Sequence, residues 1–166
     1  MLRFDIFPAM KKEDGDAAKV ICTNRKARHL YEILESFEVG LVLVGTEVKS
    51  LREGQANLKD SFAMFKNGEL FLLNMHINPY EKGNRANPDP IRPRKLLLHK
   101  DQMRRLFVKV AERGLTLVPL KLYFKEKVAK VELALVKGKK SYDKKRDIKE
   151  REAKIDMERA FKEKRR

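Results

Sequence analysis

Two residues, Asn67 and Gly68, constrain this chain more tightly than any others. They stand between two apolar runs, and both tolerate the positive φ angles of a type I′ turn, so they predict a tight β-hairpin. A two-residue turn fixes the register: Met64 falls opposite Phe71 and Phe62 opposite Leu73, placing large apolar side chains on a shared face. Other strand-like stretches surround the hairpin. Phe37 to Val44 is an apolar run of strand length. Leu117 to Phe124 places Leu120, Leu122 and Phe124 on one face, and Val128 to Val136 does the same with Val131, Leu133 and Leu135. Pro119 lacks a ladder donor, which predicts an edge or a bulge there.

Helical spacing is sparser. A first helix is expected from Arg25 to about Ser36, capped by Thr23 or Asn24, with the stripe Ala27, Leu30, Tyr31 and Leu34. A short second helix, Glu47 to Glu53, follows Thr46 as N-cap and stops at Gly54. A third spans roughly Gln102 to Arg113, with Met103, Leu106, Phe107 and Val110 on one side and Gly114 beyond its end. Residues 78–93 hold four prolines and one glycine and read as a long irregular loop. The pattern is α+β and mainly β. About six strands with two or three flanking helices suit an antiparallel barrel of the OB type, whose closure removes exposed edges.

The chain divides by composition. Residues 1–19 show no periodicity and read as a flexible leader, and 20–136 form the domain. Residues 137–166 hold 14 Lys or Arg against 7 Asp or Glu, a net of +7. In that tail Ile148 and Ile155 lie on one side of a notional helix, with Met157 and Phe161 on the other. No single stripe exists for a core to bury, so the tail is expected to be disordered alone and helical when a partner supplies contacts. The whole chain of 166 residues carries a formal charge of +15, self-repulsion that a polyanion would relieve. Nucleic acid is the first candidate and an anionic membrane surface the second. Cys22 is the only cysteine, which excludes intramolecular disulfides and thiolate zinc cages and fits a reducing, cytoplasmic setting. No signal peptide or apolar span is visible.

Several basic clusters are candidate RNA contacts. Asn24-Arg25-Lys26-Ala27-Arg28-His29 opens the first helix, where cations oppose the helix dipole unless an anion docks on the free N–H groups. A solvated basic turn is the alternative. Lys49, Ser50 and Arg52 on the second helix would point outward if Val48 and Leu51 pack inward, suiting phosphate and ribose contacts. Arg92-Pro93-Arg94-Lys95-Leu96-Leu97-Leu98-His99 joins a basic loop to an apolar run, where Leu97, if exposed, can lean on a base. The tail segment Lys137 to Arg146 interleaves Tyr142 with cations, a composition suited to RNA. Catalytic patterns are lacking. Gly40 and Gly45 have phosphate-loop spacing, but Thr46-Glu47 stands where Lys-Ser/Thr is required. His29, His76 and His99 are scattered, with no i, i+4 metal pair. Neither an enzyme, a cofactor nor a metal is expected.

The strings NRKARHLYEI, FEVGLVLVGTEVKSLREGQANLKDSF, NGELFLLNMHI, RPRKLLLHK and KGKKSYDKKRDIKERE, in this order over residues 20–151, resemble the small protein B family, the SsrA-binding proteins of bacterial trans-translation. The resemblance implies an OB barrel that holds the tRNA-like domain of transfer-messenger RNA near its D-arm and elbow. The complex, with elongation factor Tu and GTP, would enter the A site of a stalled ribosome. There the tail would lie in the empty mRNA channel. By position, the resemblance implicates Glu38, Leu97 and His99 in RNA binding. Asn24, Arg25, Lys26, Arg28, His29, Lys49, Ser50, Arg52, Asn57 and Lys95 join them as RNA-facing. Lys139, Lys140, Tyr142, Asp143, Lys144, Lys145 and Arg146 fall in the ribosome-contacting tail. Lys145 stands where the family commonly has arginine, keeping the charge but losing the bidentate fork. Glu38 repels phosphates, so it either accepts hydrogen bonds from base amines or braces a neighbouring cation. A general single-stranded RNA-binding OB module is the competing reading.

Overall fold

Asn67 and Gly68 adopt φ angles of 52° and 76°, and the hairpin pairs Met64 with Phe71 and Phe62 with Leu73, as the turn chemistry requires. The structure, a computed structural model, describes residues 18–139 together with Ile148, Glu152, Ala153, Ile155 and Met157. The expected leader thus lies outside the described residues up to residue 17. The elements run β1 (Lys19–Thr23), α1 (Arg25–Leu30), β2 (Tyr31–Leu41), α2 (Gly45–Arg52), β3 (Ala56–Asn57), β4 (Phe62–Lys66), β5 (Glu69–Leu73) and β6 (His76–Ile77). A 3-10 segment, Glu81–Ala86, interrupts the proline-rich loop. It is followed by β7 (Arg94–Leu97), α3 (Lys100–Arg113), β8 (Thr116–Lys125) and β9 (Val128–Gly138).

All pairings are antiparallel. The main sheet has the order β1-β8-β4-β5-β7-β2-β9, and a further β8–β9 pairing joins its last strand back to its second. The hydrogen-bonded strands β8, β4, β5, β7, β2 and β9 therefore form a ring, with β1 added outside it along β8. Strands β3 and β6 make a separate small pair. Closing the ring leaves few strand edges to attract another chain.

Side-chain alternation gives the ring two apolar layers. Inside lie Val39, Leu70, Leu72, Leu96, Leu117, Leu122, Val131 and Leu133, joined by Leu51 from α2 and Leu106 from α3. Each such burial is worth roughly 1.5–3 kcal/mol. A smaller cluster, Ala27, Val118, Leu120, Ala134 and Val136, seats α1 on the outer face of β8 and β9. Leu120 was expected to share a face with Leu122 and Phe124, but the register shifts between Pro119 and Lys121 and turns it to the outer cluster. The missing Pro119 donor thus produces a bulge, not an edge.

Other expectations need correction. The first helix ends at Leu30 rather than near Ser36, because Tyr31 to Phe37 pairs with Gly138 to Leu133. Helical spacing there was overridden by long-range pairing. Only Ala27 of its proposed stripe is buried, while Leu30 and Leu34 are exposed. A strand precedes this helix where the leader was expected to reach residue 19. The second helix starts at Gly45 with Val44, not Thr46, as its N-cap. In the hairpin the buried face is Ala63, Leu70 and Leu72, so the large apolar residues paired by the turn occupy the outer, half-exposed face. Strand β9 runs two residues past the expected domain end, and Lys139 N–H still bonds Leu30 O at 3.0 Å. In the tail, Ile148, Ile155 and Met157 are helical and exposed.

Among the described residues no helix is long and apolar enough to cross a membrane, and no three His, Cys, Asp or Glu could hold a metal.

Candidate nucleic-acid interface

The outer face of β8 and β9 carries two adjoining features: α1 over one end and a charged cluster at the other. Helix α1 is held there by Asn24. Its Oδ1 accepts the Ala27 N–H at 3.2 Å, and its Nδ2 donates to Leu58 O at 3.3 Å and Pro119 O at 3.2 Å. Its backbone N–H donates to Leu120 O at 2.8 Å. Asn24 therefore positions the helix and has its side chain committed within the protein. The Ala27 amide is thus already capped and is not one of the free N–H groups that an anion could take. Arg25, Lys26, Arg28 and His29 are exposed on this six-residue helix. Lys139 Nζ donates to Arg28 O at 3.3 Å, which ties the root of the tail to the same helix.

Glu38 sits further along β2, directly opposite Glu132 of β9. Two carboxylates facing each other across a ladder repel. Lysines resolve this: Lys130 Nζ donates to Glu38 Oε1, Lys125 Nζ lies 3.7 Å from Oε2, and Lys121 Nζ lies 3.8 Å from Glu132 Oε2. The Tyr123 hydroxyl donates to Glu38 Oε2 at 2.6 Å. The hydrogen bonds from Lys130 and Tyr123 outweigh desolvation and hold the Glu38 carboxyl below its usual pKa. Burial and the adjacent Glu38 push the Tyr123 hydroxyl upward, so it remains a donor at neutral pH. Of the two readings of Glu38, the geometry supplies the brace. Lys121, Tyr123, Lys125 and Lys130 were not among the expected site residues. Their signal was present, since Lys121, Tyr123 and Lys125 alternate with Leu122 and Phe124 once the bulge is passed.

Leu97 of β7 pairs with Gly40 of β2 and is 52% exposed. A Cβ on Gly40 would lie 3.3 Å from the Leu97 Cβ, so the glycine lets the two strands bring this leucine close beside the Glu38 strand. Gly40 also pairs with Lys130. Glu38, Leu97 and the lysine cluster are thus neighbours on adjoining strands. His99 is exposed as the N-cap of α3, and its carbonyl accepts the Met103 N–H at 2.9 Å. Lys95 is ion-paired to Glu69.

On α2, Lys49 is exposed with its Nζ 5.3 Å from the Tyr80 ring centroid, a cation–π contact, and Arg52 is exposed. Ser50 does not face outward as the sequence predicts but is fully buried, because the α2 face carrying Glu47, Ser50 and Leu51 packs inward. Asn57 is exposed and accepts the Lys59 N–H at 2.8 Å in a local turn.

The basic RPRK string also hides a buried network. Glu47 accepts from Val44 N–H at 2.9 Å, from Arg92 at 2.6 and 3.0 Å, and from Arg94 Nε at 2.9 Å. Fully buried Arg94 donates as well to Met75 O at 2.6 Å and Pro90 O at 2.9 Å. Burial raises the Glu47 pKa, but the Arg92 and backbone hydrogen bonds and the two arginine charges prevail and hold it low. Arg92 and Arg94 are structural cations that anchor α2 to the proline-rich loop. Of the expected tail contacts, Lys139 is half-buried beside α1, whereas Lys140, Tyr142, Asp143, Lys144, Lys145 and Arg146 lie outside the described residues.

A closed antiparallel sheet with exposed cations over one outer face defines a basic, mainly-β protein suited to a polyanion. Residues 21–163 match the family model described as "SmpB protein". The SsrA-binding protein of Desulforudis audaxviator is 64% identical over 86% of this chain and 93% of its own length. That of Halothermothrix orenii is 57% identical over 91% and 97%. A chain of the solved structure "tmRNA-SmpB: a journey to the center of the bacterial ribosome" is 60% identical, with a TM-score of 0.61 over 72% of this chain and 85% of that one. The chain belongs to the SmpB family of SsrA-binding proteins.

Proposed function

We propose that this chain is the RNA-binding adaptor of trans-translation, holding the tRNA-like domain of transfer-messenger RNA, also called SsrA RNA, and delivering it to the A site of stalled ribosomes. The observation that carries this is the likeness, at 60% identity, to a solved chain from work on tmRNA, SmpB and the bacterial ribosome. The ring of six strands is read as an OB barrel, a fold whose outer faces and loops commonly take nucleic acid. Arg25, Lys26, Arg28 and His29 on α1, with Lys49, Arg52, Asn57 and Lys95, supply phosphate and sugar contacts. Leu97 and His99 approach the bases. Glu38 acts by fixing Lys130, Lys125 and the Tyr123 hydroxyl where they face RNA. The tail from Lys140 onward, with Tyr142 to Arg146, engages the decoding centre and the empty mRNA channel. Elongation factor Tu with GTP joins through the shared RNA. The protein works in the cytoplasm as an adaptor, without a cofactor or a chemical step of its own.

Deleting residues 140–166 in full-length protein tests the division of labour. Binding to the tRNA-like domain should persist while peptide tagging on stalled ribosomes is lost, and loss of both would reject it. Competition with unstructured RNA separates this reading from a general single-strand-binding module, since the adaptor should prefer the folded domain.

A further inference from the structure

The face carrying Leu97 and His99 does not stop at His99. Helix α3 begins at the next residue, and between it and the β4–β5 hairpin lies an open groove of about 680 Å³, within the usual 300–1,000 Å³ of ligand sites. Its apolar wall is built around Phe107, which stands edge-on to Phe65 with ring centroids 5.2 Å apart and an interplanar angle of 87°. Phe107 is nevertheless 52% exposed, and Val108 beside it is also exposed. With Phe65 and Met103 these side chains form a contiguous apolar patch rimmed by polar groups, the kind of surface that marks an interaction site. The rim is cationic. Lys100 and Arg104 line the groove on α3 and have no carboxylate partner among the described residues, whereas Lys95 on the opposite side is in an exposed ion pair with Glu69.

Resting on the RNA-binding reading above, we propose that this groove takes an unstacked nucleotide of the same RNA held by the Leu97–His99 face. Its base stacks on Phe107 and its phosphate lies between Lys100 and Arg104. A fixed aromatic beside uncompensated cations is the combination that binds single-stranded nucleotides irrespective of base. Continuity with His99 puts the groove in line with the RNA path. Unpaired cations at the rim favour a phosphate over the side chains of an ordinary apolar peptide. The site adds a single-stranded contact to a surface otherwise fitted to folded RNA.

The chain contains no tryptophan, so F107W in the full-length protein places a single fluorescent reporter in the groove. Oligoadenylate and the tRNA-like domain should each quench its emission, whereas inorganic polyphosphate, which carries charge but no base, should not. F107A should weaken oligoadenylate binding about 5- to 150-fold, the range seen for loss of one stacked base, and F107Y should restore it. Circular dichroism and thermal melting of F107A establish that the fold survives. Unchanged emission of the F107W variant with saturating oligoadenylate, or an unchanged F107A affinity, would overturn the proposal. So would quenching by an acidic, leucine-rich peptide in place of RNA. If the tRNA-like domain binds tightly while the groove reporter is silent, only the groove assignment falls. If that domain fails to bind at all, the adaptor reading falls, and the oligoadenylate arm still decides the groove.

Discussion

At the scale of single residues, two glutamates do opposite work. Glu38 is half-exposed and holds Lys130, Lys125 and Tyr123 on a surface, whereas Glu47 is buried and holds two arginines inside. E38Q keeps the shape and removes the charge, and should weaken RNA binding about tenfold, the scale of one charge-assisted hydrogen bond. If Glu38 acts through Lys130, the E38Q/K130M pair should bind no worse than K130M alone, which filter-binding titrations can check. Both carboxyls have folded pKa values depressed below the unfolded value of about 4.3. The stability they contribute is therefore complete above that pH and is lost as pH falls through the lower folded values. The stability difference between the wild-type protein and E38Q should shrink below about pH 4, measured by urea unfolding at stepped pH. E47A leaves Arg94 buried without its counter-charge and should cost about 3–5 kcal/mol, whereas E47L combined with R94M should cost much less. Equal losses in the two variants would contradict this account of the network. Sequence could not separate Arg92 and Arg94 from the surface cations around them, because burial of an arginine depends on acceptors brought in from distant segments, here the Glu47 carboxylate and the Met75 carbonyl.

At the scale of elements, legibility followed how local the determining interaction was. The Asn67-Gly68 hairpin was readable to the residue because its turn needs only two positive φ angles. The end of α3 at Gly114, with φ 58°, was readable for the same reason. The end of helix α1 is not legible locally, because its termination depends on β9, about a hundred residues away, capturing Tyr31 onward. Strand β1 is not legible either, because five residues with an irregular burial pattern carry no period until β8 pairs with them. At the site, Arg25, Lys26, Arg28 and Leu97 were found as exposed groups, whereas Ser50 and Asn24 turned out to serve the scaffold. N24A removes a cap worth about 1 kcal/mol together with two side-chain tethers. It should raise hydrogen exchange across α1 and lower RNA affinity without touching a cation. G68A forces a Cβ into a left-handed turn and should destabilise the hairpin by about 1–2 kcal/mol, read from the urea midpoint.

At the scale of the molecule, a net charge of +15 is distributed between a rigid ringed sheet and a basic extension. Each neutralised phosphate adds roughly 0.7–0.9 to the log–log salt slope. Deleting residues 140–166 should therefore leave the slope for the tRNA-like domain nearly unchanged if the folded face alone makes those contacts. The most direct test of that face is the charge-reversed variant R25E/K26E/R28E, measured for binding to the tRNA-like domain at physiological ionic strength. The outer surface around α1 predicts a loss of at least a hundredfold with the fold intact by circular dichroism. Wild-type affinity in that variant would contradict it.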